Sequence, residues 1–311
     1  MKLNDCARLL CEHDRFLLLT HRHPDGDTMG SAAALCAALR RKGKTAYLFP
    51  NRQATGKLLD YTGAFFAPAD YAPDYIVAVD IATEKLFPEG FEGAAELCID
   101  HHPTNEHYAK QELIWADRAA CGEIVLELVK SLCGRPSREE AELLYIAIST
   151  DCGCFQYANT DARTLRAAAE LLDCGADSAA INQRFFRRVS RARLKLEGMI
   201  YDSLRFYKNG ELVIALLTDE MLRAAGAVED DLDHIASLAG RAEGHRVSIT
   251  IRDCPGGASR VSVRSGADFD SSALCAIFGG GGHFMAAGCT IQAPPEKACE
   301  LLLQVIDEVW T

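Results

Sequence analysis

The chain has 311 residues, 49% of them hydrophobic and 25% charged, which is enough apolar material for one large or two ordinary domains and excludes a disordered protein. Its formal net charge of −11 argues against a protein that grips long duplex DNA, since such proteins carry a basic face. The longest apolar runs, such as Phe16–Leu19 and Tyr75–Val79, are too short to span a membrane, and Asp5, Glu12 and Asp14 break a secretory leader. Thirteen cysteines, an odd count scattered through apolar segments, fit reduced, buried thiols, so the expected location is the cytoplasm.

In chain order, Phe16–Thr20 reads as a strand and Met29–Arg41 as a helix with one apolar face. Lys44–Phe49, Tyr75–Asp80 and Glu96–Asp100 read as strands. Cys121–Leu132 and Arg138–Ser149 read as helices, the second opened by a capping box from Ser137 to Glu140. Helices follow over Asp161–Leu172 and Ser178–Arg187, and the basic stretch Arg187–Tyr207 is expected to be a connecting helix. Beyond it come a strand at Glu211–Leu217, a helix at Asp231–Leu238, and a strand pair, Arg246–Arg252 and Arg260–Arg264, around the turn-rich Cys254–Ser259. A helix at Ser271–Phe278, a glycine cluster, a strand near Gly288–Gln292 and a helix from Pro295 to Val309 complete the chain. The expected fold class is α/β: a doubly wound, mostly parallel sheet over residues 1–187, a helical linker over 188–200 and a smaller α/β domain over 201–311.

Polar clusters sit just after the predicted strands and helix, at Thr20–Asp27, Asp80–Thr83, Asp100–Asn105 and Thr150–Gly153, and open parallel sheets bind ligands beyond the carboxyl ends of their strands. The loop His21-Arg-His-Pro-Asp25-Gly-Asp27 turns tightly enough to aim several side chains at one point, although two aspartates there also suit a turn and a helix N-cap. A carboxylate at the end of a buried strand, as at Asp80 and Asp100, needs a cation. His21, Asp25, Asp27, Asp80, His101 and Asp151 together supply two imidazoles and four carboxylates, a set suited to two divalent ions roughly 3.5–4 Å apart. The imidazoles favour Mn2+, with Mg2+, Co2+, Fe2+ or Zn2+ as alternatives. A water shared by the two ions would lose its proton near neutral pH and attack phosphorus in line.

Downstream, the consecutive glycines Gly279, Gly280, Gly281 and Gly282 offer unobstructed backbone N–H groups that could cradle an anion, His283 adds a donor, and Arg264, followed by Ser265, offers a bidentate phosphate contact. A flexible loop and a surface charge are the plainer alternatives. Cys152 and Cys154 read either as small packing residues or as ligands for a softer metal. The run Arg184, Arg187, Arg188, Arg191, Arg193 and Lys195 reads either as a solvated helix or as a positive wall beside the site.

Taken together, His21-x-x-x-Asp25-x-Asp27, Asp80, Asp100-His101-His102 and Asp151-Cys-Gly-Cys-Phe155 with Asn159-Thr160 resemble the four motifs of the DHH phosphoesterase superfamily. The segment from Gly279 through His283 to Gly288 resembles the signature of the associated DHHA1 domain, so the resemblance covers nearly the whole chain. It implies that His21 and Asp25 hold a first metal ion, that Asp27, His101 and Asp151 hold a second, and that Asp80 bridges them. It further implies that His102 contacts the phosphate and that Asp100 orients the histidines. Arg264, Ser265, Gly280, Gly281, Gly282 and His283 would take the nucleotide end away from the scissile phosphate, so that two sites limit substrate length. Cys152 departs from the family, which commonly has threonine there.

The chain's length resembles that of the bifunctional oligoribonucleases and pAp phosphatases, two-metal hydrolases that trim RNA fragments of a few residues to 5′-mononucleotides and convert pAp to AMP and phosphate. The alternatives are a phosphodiesterase of cyclic di-AMP or pApA and a catalytically idle nucleotide sensor. The resemblance also allows a homodimer. Expected partners are short RNA or small nucleotides, without a membrane or long duplex DNA.

Overall fold

A computed structural model describes residues 1–232 and 235–310. The chain forms two compact units, Met1–Arg188 and Val189–Thr311. In chain order the first contains α1 (Leu3–Glu12), β1 (Phe16–Leu19), α2 (Gly26–Arg41), β2 (Ala46–Leu48), α3 (Gly56–Thr62) and β3 (Tyr75–Val79). It continues with β4 (Leu97–Asp100), β5 (Gln111–Ile114), α4 (Cys121–Cys133), α5 (Arg138–Asp151), α6 (Ala162–Asp173) and α7 (Ser178–Asn182), which ends in a π-helical turn over Gln183–Arg187.

The five strands are all parallel, in the order β2-β1-β3-β4-β5. Strand β1 is apolar at every position because alternate residues enter two cores: Phe16 and Leu18 join one, Leu17 and Leu19 the other. The larger core holds α1, α2, α4 and α5 against the sheet, and their packing is close because glycine lies at the crossings. A Cβ on Gly30 of α2 would lie 2.5 Å from the Leu143 carbonyl of α5, and one on Gly122 of α4 would lie 2.8 Å from Ala147 Cβ. Because the strand order runs outward in both directions from β1 and β3, the crevice at their carboxyl ends is the topological switch point.

The second unit contains α8 (Arg191–Asp202), β6 (Arg205–Tyr207), β7 (Leu212–Leu217), α9 (Asp219–Ala225), β8 (Val247–Cys254), β9 (Ala258–Ser265), α10 (Ser271–Ile277), β10 (Gly281–His283), β11 (Ala286–Ile291) and α11 (Pro295–Val305). Its sheet order is β10-β11-β9-β8-β7-β6, parallel between β7 and β8 and antiparallel elsewhere. One face buries Ile214, Ile249, Val261 and Val263 against Leu274 of α10 and Leu302 of α11. Over the other, Val213, Ala215 and Leu217 meet Leu196 and Ile200 of α8.

That last contact corrects the expected linker. Residues 191–200 bury Leu196 and Ile200 in the second core, so α8 is an integral part of this unit. The expected helix Asp231–Leu238 includes residues 233–234, which lie outside the described residues. The segments on either side, Glu229–Leu232 and Ile235–Ser237, are short 3-10 turns. Among the described residues no helix is long and apolar enough to cross a membrane.

Candidate active site

The first unit gathers its Asp and His residues at the switch point. The chain leaves β1 through His21 and enters α2 with Asp25 as N-cap, its carboxylate accepting the backbone N–H groups of Asp27 and Thr28 at 3.0 and 3.1 Å. This places Asp27 in the first turn of α2, fully covered. Asp27 Oδ1 accepts from Ser31 Oγ at 3.0 Å and Gly122 N–H at 2.9 Å, and Oδ2 accepts Cys121 N–H at 2.7 Å. The amino terminus of α4 thus cradles this carboxylate, a partnership between segments far apart in sequence.

Strand β3 ends at Val79, and Asp80 follows in a left-handed conformation, φ 60°, which aspartate tolerates better than most residues. Asp100 ends β4, and Asp151 is the last residue of α5 rather than following it, as expected from the sequence. His101 Nε2 lies 3.4 Å from Asp80 Oδ1, 3.8 Å from Asp27 Oδ2 and 3.7 Å from Asp151 Oδ2. His21 Nε2 lies 3.5 Å from Asp25 Oδ2 and 3.9 Å from Asp80 Oδ2. These separations are too long for hydrogen bonds and suit donors arranged around a shared ion, where metal–ligand lengths of about 2.1 Å set neighbouring donors roughly 3–3.5 Å apart.

Two donor triplets result, His21–Asp25–Asp80 and Asp27–His101–Asp151, and a third, Asp80–His101–His102, overlaps them. His102 is committed elsewhere: its Nδ1 donates to Asp100 Oδ1 at 2.8 Å. Asp100, wholly buried, also accepts His101 N–H at 2.8 Å and Asn105 Nδ2 at 2.6 Å. His101 Nδ1 donates to the Arg118 carbonyl at 3.1 Å, which fixes the tautomer and leaves Nε2 as a lone pair among carboxylates. Asn105, Ser31, the α4 backbone and the Arg118 carbonyl are the parts of this constellation that the sequence reading missed. Only Asn105 left a signal, as the last member of the polar run after β4.

A divalent cation suits the residues present. Asp80 Oδ1 is buried with no hydrogen-bond partner, an omission that costs about 1–3 kcal/mol unless something else supplies positive charge. Burial, with Asp27, Asp25, Asp100 and Asp151 facing it, pushes the Asp80 carboxyl well above its ordinary range. Burial, then Asp151 across the site, pushes Asp27 up to about 8, and burial also raises Asp151. His101 is raised, because Asp27 and Asp151 outweigh the burial that opposes its charge. Asp25 and Asp100 are lowered: burial works against their charge, but the neighbouring His21 ring with the Thr28 and Asp27 N–H groups prevails at Asp25, and hydrogen bonds from His102 and Asn105 prevail at Asp100.

A pH dependence follows. Carboxyls raised in the fold hold protons there that the unfolded chain has already released, so stability falls as pH rises from the unfolded value near 3.8 to the folded one. His101 acts in the same sense, losing its contribution as pH rises through its raised value. The lowered Asp25 and Asp100 act oppositely, but only below about pH 4. The metal-free protein is therefore expected to lose thermal stability steadily from pH 5 to 8, and saturating divalent cation is expected to flatten that slope. Melting curves with and without chelator test this; equal slopes would contradict it.

The softer-metal reading of the cysteines finds no support. Cys152 is buried, burial pushes its thiol up to about 12, and among the described residues no metal-competent group includes a cysteine. The basic run is partly committed to local partners: Arg184 pairs with Asp60, Arg193 with Glu197 at 2.7 Å, and Lys195 reaches the Ala224 carbonyl.

In the second unit Arg264 lies exposed on β9, paired in register with Ala286 of β11. The expected cradle of free N–H groups is not formed: Gly279 and Gly280 N–H donate to the Ala276 and Cys275 carbonyls, closing α10, and Gly281–His283 pairs as strand β10. Gly280 is needed for close approach, since a Cβ there would lie 2.3 Å from the Gly288 carbonyl. Ser265 Oγ is engaged within the fold, bonding the Phe269 carbonyl and Ser271 Oγ, each at 2.8 Å. Arg264, Gly281, Gly282 and His283 are left as the exposed members of the expected set.

Comparison with known proteins matches residues 15–148 to the DHH family, N-terminal domain, and residues 210–311 to the DHHA1 domain. The bifunctional oligoribonuclease and PAP phosphatase NrnA of Thermus thermophilus is 33% identical over 299 residues, covering 94% of this chain and 90% of that protein. Its counterpart from Bacillus subtilis is 26% identical, covering 92% of each. Among solved structures, an exopolyphosphatase-related protein from Bacteroides fragilis shares the fold with a TM-score of 0.88 at 23% identity, over 98% of this chain and 96% of that one.

Proposed function

From the premise that this chain belongs to the DHH family, and is thus a metal-dependent hydrolase of nucleotide phosphate esters, we propose that it trims oligoribonucleotides of a few residues to 5′-mononucleotides, converts pAp to AMP and phosphate, and uses Mn2+. The observation that carries this reading is the pair of donor triplets, His21–Asp25–Asp80 and Asp27–His101–Asp151, set side by side where Asp80 Oδ1 lies 3.4 Å from His101 Nε2. In it, His21 and Asp25 would hold one cation, Asp27, His101 and Asp151 would hold the other, and Asp80 would contribute its charge to both. When bound, the cations supply Lewis-acid polarisation and charge compensation for in-line displacement at phosphorus.

The chain's own residues do the rest. Asp100 fixes the His102 ring through Nδ1, so Nε2 is the atom left to contact a phosphoryl oxygen. Arg264, with His283 and the bare backbone of Gly281, is the phosphate-binding set of the second unit. The choice of short substrates is supported by the activities in the relatives' names and by the acidic chain, which has little charge for tracking a long polyanion. Thirteen free thiols support a reducing, cytoplasmic location.

The test strips bound cations, restores Mn2+, Mg2+, Co2+ or Zn2+ singly, and compares short RNA, pAp, pApA and cyclic di-AMP. The highest kcat/KM is expected with Mn2+ on short RNA and pAp. A preference for cyclic di-AMP or pApA would overturn the substrate assignment, and binding without turnover would make the protein a sensor.

A further inference from the structure

Just beyond Asp151 the backbone is left-handed for three residues running: Gly153, Cys154 and Phe155 have φ of 54°, 56° and 65°. Side-chain-bearing residues occupy that region at a cost of about 1 kcal/mol or more each, and only where the surroundings enforce it. Here the enforcement is visible. Cys154 N–H donates to the Ser149 carbonyl at 2.7 Å, and Gln156 and Tyr157 N–H both donate to the Cys152 carbonyl, at 3.0 and 3.2 Å. Asn159 Nδ2 ties the loop's far end to the carbonyls of Asp151 and Ala119, at 3.2 and 3.1 Å.

The turn lays the Tyr157 ring on Gly153. A Cβ on Gly153 would lie 2.3, 2.4 and 2.6 Å from Cζ, Cε1 and Cε2, and such similar distances mean that the ring meets the backbone with its face. Yet Tyr157 is 53% exposed. Other tyrosines of this unit are committed, with Tyr71, Tyr75 and Tyr108 donating their hydroxyls to Phe16 O, Gln111 Oε1 and Ile81 O. Among the described residues, Tyr157 has neither a hydroxyl partner nor a ring partner.

An aromatic ring braced on one face, open on the other, and set on a loop bonded to the carbonyls of Asp151 and Cys152 is a stacking surface on the segment that follows a candidate metal ligand. We propose that Tyr157 is the platform for the nucleobase of the nucleotide whose phosphate is cleaved. Every base has a π-face, so such a platform accepts any sequence while favouring nucleotides over plain phosphate esters. The inference rests on the function proposed above, and its test separates the two.

The Mn2+-loaded full chain is assayed on pAp and on the abasic ribose 3′,5′-bisphosphate, which keeps both phosphates but has no base. Tyr157→Ala is expected to raise KM for pAp about 10- to 100-fold, the usual strength of a base on an aromatic ring, and to leave the abasic compound unaffected. Tyr157→Phe is expected to restore wild-type KM to within about twofold, because the ring and not the hydroxyl carries the interaction. A short RNA bearing a fluorescent base analogue should be quenched by wild type and Tyr157→Phe but not by Tyr157→Ala. Equal losses on both substrates, or an alanine variant indistinguishable from wild type, would overturn the platform. A wild type that hydrolyses the abasic compound as well as pAp would overturn the platform but leave the phosphoesterase reading standing. If neither is hydrolysed, the function reading fails and the platform falls with it.

Discussion

Asp80→Asn is expected to lower kcat by more than about a thousandfold while raising the melting temperature of the metal-free protein. The two effects share one cause. Asp80 belongs to the His21–Asp25 triplet and lies 3.4 Å from His101, so its negative charge serves both proposed cation positions at once. An amide keeps the shape and tolerates the left-handed backbone at φ 60°, but gives up the charge. Without cations that charge is a burden, since Asp80 is buried, Oδ1 has no hydrogen-bond partner, and the carboxyl is held far above its ordinary range. Each kcal/mol of relief should raise the melting temperature by roughly 2–4 °C. Calorimetric titration with Mn2+, melting with chelator and turnover of pAp together decide the matter. A variant that melts lower and is inactive has merely misfolded, and one that retains activity excludes the shared role.

Gly30→Val is expected to be strongly destabilising although residue 30 carries no polar group of the site. A side chain at residue 30 would meet the Leu143 carbonyl at 2.5 Å and Ala147 N at 3.0 Å, both backbone atoms of α5 that cannot rotate aside. Overpacking of this kind costs about 1–3 kcal/mol, more against backbone, so the melting temperature should drop by roughly 5–10 °C. The change should also reach the site. Helix α2 carries Asp25 and Asp27 at its start, and α5 ends in Asp151. Forcing the two helices apart separates Asp27 from Asp151, so Mn2+ affinity should fall along with stability. Gly30→Ala should show both effects in reduced form. Unchanged cation affinity in a folded, destabilised Gly30→Val protein would show that the helix spacing does not govern the site.

How much of this was legible in the sequence depends on how each residue is used. Strands β1, β3 and β4 were readable because burial on both faces leaves unbroken apolar runs, as in Phe16–Leu19. Their carboxyl ends were readable because Asp80, and Asp100-His101-His102, interrupt those runs with groups that apolar surroundings reject. Strand β5 was missed: Gln111–Ile114 lies at the sheet edge, and its half-polar composition has no strand signature. Strand β10 was missed for a different reason. Gly-Gly-His has little β propensity, and its pairing is driven by the room that Gly280 and Gly282 leave for β11. The supporting bonds to Asp27 and His101 were out of reach, because backbone groups at Cys121, Gly122 and Arg118 look like any other residue's in one dimension.

The strand order of the first unit also bears on when cations can enter. His21, Asp80, His101 and Asp151 come from four stretches of chain, and the path leaving β1 builds one flank of the sheet while the path leaving β3 builds the other. No partly assembled hairpin or single helix contains either complete triplet, and pairings so distant along the chain are late events in folding. Metal ions therefore act as clamps on a finished scaffold rather than as seeds for it, and refolding in chelator should proceed at the same rate as refolding with Mn2+ present.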